Sequence, residues 1–210
     1  MGVTSIIHGL SAMLALCIFT SGSEAQTVHV RVELLEVHCG NTEDVTGADE
    51  FYVVGALSDG ESTKSVLTQP ININDNQTKS FVATQRIAFD AKVPIGKTIR
   101  GGLIAYDEDY AKDWAKQKEM VNKITDSVSE AARSYDNKDA KKAGWILKLA
   151  VAAWDLIAST DKDDELGRIE LNVATEGPEE EVKEWKFSRK DITGYSSWDY
   201  VVKYRIVRVK

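Results

Sequence analysis

Asp107, Glu108 and Asp109 put three carboxylates into three consecutive residues, directly after the apolar run Leu103-Ile104-Ala105-Tyr106. Charges of one sign that close repel, and they stay ionised together where a cation sits among them. Asp107 and Asp109 are two apart, so strand alternation turns both to one face. Two further acidic groups stand far away in the chain: Glu43, Asp44 and Asp49 beside Gly47, and Asp161, Asp163, Asp164 and Glu165 before Gly167. Carboxylates brought together in this way suit a hard cation that takes six to eight oxygen ligands, and outside the cytosol that ion is Ca²⁺. No acidic triplet at alternate positions is followed by Gly and a distal Glu, so the EF-hand loop is excluded.

Other chemistries find less support. Adjacent acids on a surface loop lack the apolar pocket that splits an acid from a base. Cys39 beside His38 has no base-and-orienter set, and only His29 remains as another histidine beyond the leader described below. Gly96-Lys97-Thr98 lacks the upstream glycine of a phosphate loop. A non-enzyme is therefore expected. The net charge of −7 excludes the basic face of a nucleic-acid binder.

The elements that must position these acids follow a period of two. Thr27–Leu34, Phe51–Leu57, Ser62–Leu67, Ser80–Phe89, Thr98–Tyr106, Gly167–Val173, Val182–Phe187 and Tyr200–Val209 predict eight short strands. "TQPININDNQTK", with one Pro and three Asn, predicts a loop between the third and fourth. Eight such strands imply a mainly β chain folded as an antiparallel sandwich. Up-down parity then makes the loops after strands one, three and five open at the same end, which gathers the acids.

Residues 1–25 carry an apolar run from Ile6 to Phe19 and then Ser23 and Ala25 before Gln26. This pattern predicts a cleaved signal peptide, and hence a secreted or periplasmic protein spanning 26–210. Cleavage takes Cys17 and leaves Cys39 alone, so no internal disulfide can form. Asn76-Gln77-Thr78 is an acceptor sequence for glycosylation in a host that modifies exported chains.

Between 110 and 160 the period lengthens to that of a helix. Trp114, Val121, Ile124, Val128, Ala131 and Tyr135 form one stripe, Asp136-Asn137 breaks it, and a second helix is expected from about Asp139 to Ala158. In that second helix only Lys148 and Asp155 interrupt the apolar surface after Ala143. A helix apolar nearly all round is buried in protein or in lipid. Either the sandwich and the first helix cover it, or Trp145, Ile146, Leu147 and Trp154 contact a membrane or a partner, with Lys138, Lys141 and Lys142 at the headgroups.

The string "DVTGADEFYVVG" resembles the C2-domain motif in which an Asp-bearing turn precedes a strand. "LIAYDED" looks like that family's strand ending in Asp-x-Asp, and "DDELG" like its closing Asp-x-x-Gly. The strand and loop order is similar to the circularly permuted C2 topology. The resemblance implies a C2-like β-sandwich with a two-helix hairpin inserted in its third loop. It implies Asp44 and Asp49 as loop-one ligands, with Glu43 as the alternative to Asp44. Asp107, Asp109 and Asp164 follow as loop-three ligands, with Asp161 or Asp163 as a helper and the Glu108 carbonyl completing the shell. In function it implies a Ca²⁺-binding module that docks on a phospholipid membrane or another protein without catalysis. The alternative expectation is a membrane-inserting or toxin-like effector that uses the hairpin.

Overall fold

A computed structural model describes residues 26–43, 47–108, 121–123, 125–126, 164–190 and 197–210; of Asp164 only the backbone is described. Ten strands run through the described residues. They are β1 (Thr27–Asn41), β2 (Asp49–Ser58), β3 (Thr63–Leu67), β4 (Ile71–Ile73) and β5 (Gln77–Ser80), then β6 (Ile87–Pro94), β7 (Thr98–Asp107), β8 (Asp164–Ala174), β9 (Glu180–Arg189) and β10 (Trp198–Val209). One sheet has the order β5-β1-β10-β9 with β6 also on β1; the other has β3-β2-β7-β8 with β4 also on β2. Every pairing is antiparallel.

Alternation explains why the two sheets close on each other. Val28, Val30 and Val32 of β1 and Tyr200, Val202, Tyr204 and Ile206 of β10 point inward from the first sheet. Phe51, Val53 and Leu57 of β2 and Ile99, Leu103 and Ala105 of β7 meet them from the second. Phe51 stacks on Tyr200 across the gap, with ring centroids 5.1 Å apart. The mainly β sandwich expected from the period-two pattern is therefore present.

The strand count is ten rather than eight, because the stretch expected to be a loop between the third and fourth strands carries two short strands of its own. β3 and β4 lie along the same side of β2 and are interrupted at Thr68–Pro70. Pro70 has no N–H to give, and Thr68 bridges the gap. Its N–H donates to Val53 O at 3.0 Å and its hydroxyl accepts the Val53 N–H at 2.9 Å. β5 and β6 likewise share one side of β1, interrupted by residues 81–86. That break faces the extra residue Leu35 of a bulge in β1, whose carbonyl accepts the Phe81 N–H at 3.1 Å. The expected strand Ser80–Phe89 is thus corrected to β6 at Ile87–Pro94. The expected loop "TQPININDNQTK" in fact carries β4 and the start of β5, since Ile73 alternates into full burial.

The strands also run further than expected at one end. β2 begins at Asp49, β7 ends at Asp107 and β8 begins at Asp164, so these acids lie on strands. Of the inserted segment, Val121–Lys123 and Thr125–Asp126 are helical, and the Thr125 hydroxyl donates to Val121 O at 2.7 Å. The rest of the hairpin, with Trp145, Ile146, Leu147 and Trp154, lies outside the described residues, as do residues 1–25. Among the described residues no helix is long and apolar enough to cross a membrane.

The β2–β7 pairing that carries Asp107 depends on close backbone approach at Gly55. A Cβ there would stand 2.2 Å from the Gly102 carbonyl oxygen and 2.9 Å from the Leu103 Cα. Neither neighbour can swing aside. Gly55→Ala is expected to cost about 2–3 kcal/mol, measured as a lowered urea midpoint at unchanged slope. An unchanged midpoint would show that the two strands are free to separate.

Candidate functional site

One end of the sandwich collects the end of β1, the start of β2, the β4–β5 turn, the end of β7, and the starts of β8 and β10. Its geometry follows from register. Phe51 pairs with Asp107, and Asp107 pairs with Asp164. These three residues of β2, β7 and β8 therefore form one row across the sheet. Asp49 precedes Phe51 by two and so faces inward with it, diagonal to Asp107. Diagonal neighbours in antiparallel sheets have Cβ atoms about 7 Å apart, within the span of two carboxylates that meet one ion.

Both described carboxylates are taken out of water: Asp49 is 0% exposed and Asp107 2%. A buried carboxylate is costly unless donors meet it, and here they do. The Glu43 N–H donates to Asp49 Oδ2 at 2.8 Å, and the Tyr200 hydroxyl donates to the same oxygen. The Glu50 N–H donates to Asp107 Oδ1 at 2.7 Å. At the start of the third loop, the Glu108 N–H donates to Glu50 O at 3.2 Å, which ties β7 to β2 beyond the last ladder pair.

Three groups bearing on the site were not legible as site residues in the sequence. Tyr200 holds Asp49 across 151 residues of chain, and only the three-dimensional packing shows it. Asp75 accepts hydrogen bonds from the Thr42 N–H at 2.8 Å and the Thr42 hydroxyl at 2.9 Å, pinning the first loop to the β4–β5 turn. Its signal was the pair Asp75-Asn76, since Asn76 takes the left-handed conformation (φ 58°) that Asn tolerates in turns. Asp199, the second residue of β10, pairs with Asn41. Burial pushes the Cys39 thiol up to about 11; a hydrogen bond with Tyr200 works against that rise, and the charges of Asp49, Asp75 and Asp199 add to it. The Tyr200 hydroxyl is also pushed upward, by burial and then by Asp49, and so remains a donor.

The sequence-derived ligand set divides accordingly. Asp49 and Asp107 are brought to one end on the inner face, and the backbone of Asp164 pairs with that of Asp107 at the same end. Glu43 is half-buried and meets Asp49 through its N–H. Asp44, Asp109, Asp161 and Asp163 lie outside the described residues. Among the described residues, no three His, Cys, Asp or Glu side chains form a group that could hold a metal ion.

No protein-family model matches the chain, and no curated protein matches it. Among solved structures, the chain is similar to human GIVD cytosolic phospholipase A2 in complex with methyl gamma-linolenyl fluorophosphonate, at 11% identity and a TM-score of 0.42. That match covers 89% of this chain and 18% of the phospholipase, so the chain spans under a fifth of that protein's length. It is also similar to a structure described as a C2 domain, at 13% identity and TM-score 0.38, covering 87% of this chain and 99% of the other. A C2 domain of plant extended synaptotagmin 1 matches at 12% identity and TM-score 0.35, over 88% and 95% of the two chains.

Two measurements probe the site directly. Tyr200→Phe removes a hydrogen bond to a charged group and is expected to lower stability by about 1.5–3 kcal/mol in urea unfolding. A loss under about 0.5 kcal/mol would mean that Asp49 is held without it. Cys39, fully buried and with a raised pKa, is expected to resist a thiol reagent at pH 8 in the native chain and to react at once in denaturant. Rapid native labelling would contradict that burial.

Proposed function

We propose that the chain is an exported, C2-like, Ca²⁺-binding module with a permuted strand order, a helical hairpin in its third loop and no catalytic activity, and that it docks on a phospholipid surface. The observation that carries this reading is the placement of Asp49 and Asp107, both almost wholly buried, at one tip of the sandwich, with Asp164 in register beside them. The donor types suit a hard ion. Carboxylate oxygens and backbone carbonyls are what a hard divalent cation takes, and soft ligands are absent from the set. Asp49, Asp107 and Asp164 would hold it, with the Glu108 carbonyl and with Asp44 and Asp109 from the two loops. When bound, the ion supplies positive charge to an otherwise acidic tip.

The residues of this chain supply the rest. Tyr200 and the Glu43 N–H orient Asp49, the Glu50 N–H orients Asp107, and the Asp75–Thr42 contact fixes the first loop. A tip relieved of its negative charge can approach anionic headgroups, and the attraction fades within about 10 Å at ordinary salt. Support for a non-catalytic role comes from the same geometry. The two buried acids are engaged by backbone donors, and the thiol of Cys39 is kept protonated. The order in which β10 sits between β1 and β9 supports the permuted arrangement.

A ligand that binds only the native state, at a hundred times its Kd, stabilises by about 2.7 kcal/mol, or about 5–10 °C in a domain of this size. Such a rise in Tm is expected for the chain starting at Gln26 in millimolar Ca²⁺, and it is expected to vanish in Asp107→Asn. Sedimentation with phosphatidylserine vesicles is expected to follow Ca²⁺ in the same way. An identical Tm with Ca²⁺ and with chelator, alongside no binding heat, would end this reading.

A further inference from the structure

A strand at the rim of a sheet offers its unused N–H and C=O groups to any strand that can lie beside it. Of the four sheet rims among the described residues, three are interrupted. β3 and β4 are parted at Pro70, and β5 and β6 by residues 81–86. β8 carries a register irregularity between Gly167 and Glu165. β9 carries none. Its ten residues, Glu180–Arg189, pair one for one with β10, and no Pro or Gly falls among them. Among the described residues no strand pairs with its other side. Its side chains are open to solvent: Val182 is 54% exposed, and Lys183, Glu184, Lys186 and Ser188 are exposed with it.

We propose that β9 pairs with β9 of a second copy of this chain, antiparallel about a two-fold axis at Trp185, so that the β1–β10–β9 sheets of the two copies run on as one. The charges of the strand select that partner and that register. An axis at Trp185 sets residue 184 opposite 186, 183 opposite 187, 182 opposite 188 and 181 opposite 189. Glu184 then meets Lys186, Glu181 meets Arg189, and the symmetry makes each pair twice. Unlike charges directly opposed stabilise a ladder and like charges destabilise it. Moving the axis one residue either way sets Glu184 or Lys186 against its own copy. Within one copy Glu184 already reaches Lys186 at 2.8 Å, so pairing brings four alternating charges together. Lysines on a rim ordinarily keep other strands off. Here Lys186 faces a glutamate, and Lys183 keeps its own Glu181 at 3.1 Å. The faces agree as well. Trp185 packs on Phe187 with ring centroids 4.7 Å apart on the core side, and an axis perpendicular to the sheet keeps both on that side in each copy. This association needs no ion and is independent of Ca²⁺ binding at the tip.

The test places cysteines at two exposed positions of the full chain. Val182 of one copy and Ser188 of the other stand directly opposed in this register, with Cα atoms about 4.5–5.5 Å apart, a separation that a disulfide spans. Within one strand the same two positions are about 20 Å apart and cannot bond to each other. Cys39 is buried and takes no part. Under mild oxidation the Val182→Cys, Ser188→Cys double variant is expected to run as a covalent dimer on a non-reducing gel, and each single variant as a monomer. A double variant that stays monomeric, or single variants that dimerise as readily, would overturn the pairing. In parallel, sedimentation velocity of the unaltered chain is expected to show its mass rising from one chain toward two as concentration increases through the micromolar range. A single-chain mass at every concentration would overturn it too, whether or not the cysteine variants fold.

Discussion

Two carboxylates buried at the tip of a β-sandwich are a standing cost, and the surrounding structure is arranged to meet it. A carboxylate that loses water without compensation costs several kcal/mol, so donors have to be built in. Asp49 receives Tyr200 from the opposite sheet and the Glu43 N–H from the first loop; Asp107 receives the Glu50 N–H from the neighbouring strand. Each donor comes from a different element. The pairing of β2 with β7, the closure of the two sheets and the path of the first loop are thereby locked to the position of two acids. A metal site built on such a frame is oriented before any ion arrives, which lowers the ordering cost of binding.

The rest of the molecule can be read as support for that tip. Stacked Phe51 and Tyr200 carry the core up to the acids, so the apolar interior ends where the charged set begins. Away from the tip, the outer face of the β1–β10 sheet is tied by ion pairs. Glu33, buried, meets Arg205 and also Arg86 at 3.3 Å, and Glu36 meets Lys203 at 2.8 Å. On the other sheet the outward residues Tyr52, Val54, Ile104 and Tyr106 of β2 and β7 are apolar, and those of β8 beside them, Glu165, Arg168 and Glu170, are charged.

Much of the frame was legible in the residues because β-strands write themselves at period two. Val28, Val30 and Val32, and Tyr200, Val202, Tyr204 and Ile206, announce their strands plainly. Up-down parity then foretold that remote acids share one end. The breaks were not legible. Ile71-Asn72-Ile73 is too short for its alternation to stand out beside Pro70, and the Leu35 bulge leaves no local mark. The donors to the acids were hidden for a different reason. A tyrosine 151 residues from its aspartate is an ordinary core aromatic until packing brings them together. The residues of the ligand set on the first and third loops, Asp44, Asp109, Asp161 and Asp163, rest on resemblance alone.

The most direct measurement is an experimental structure determined from crystals grown with Ca²⁺. The expected result is a single ion with oxygens of Asp49, Asp107 and Asp164 at about 2.3–2.6 Å. Ordered carboxylates at that tip with no ion between them, in a crystal saturated with Ca²⁺, would contradict it.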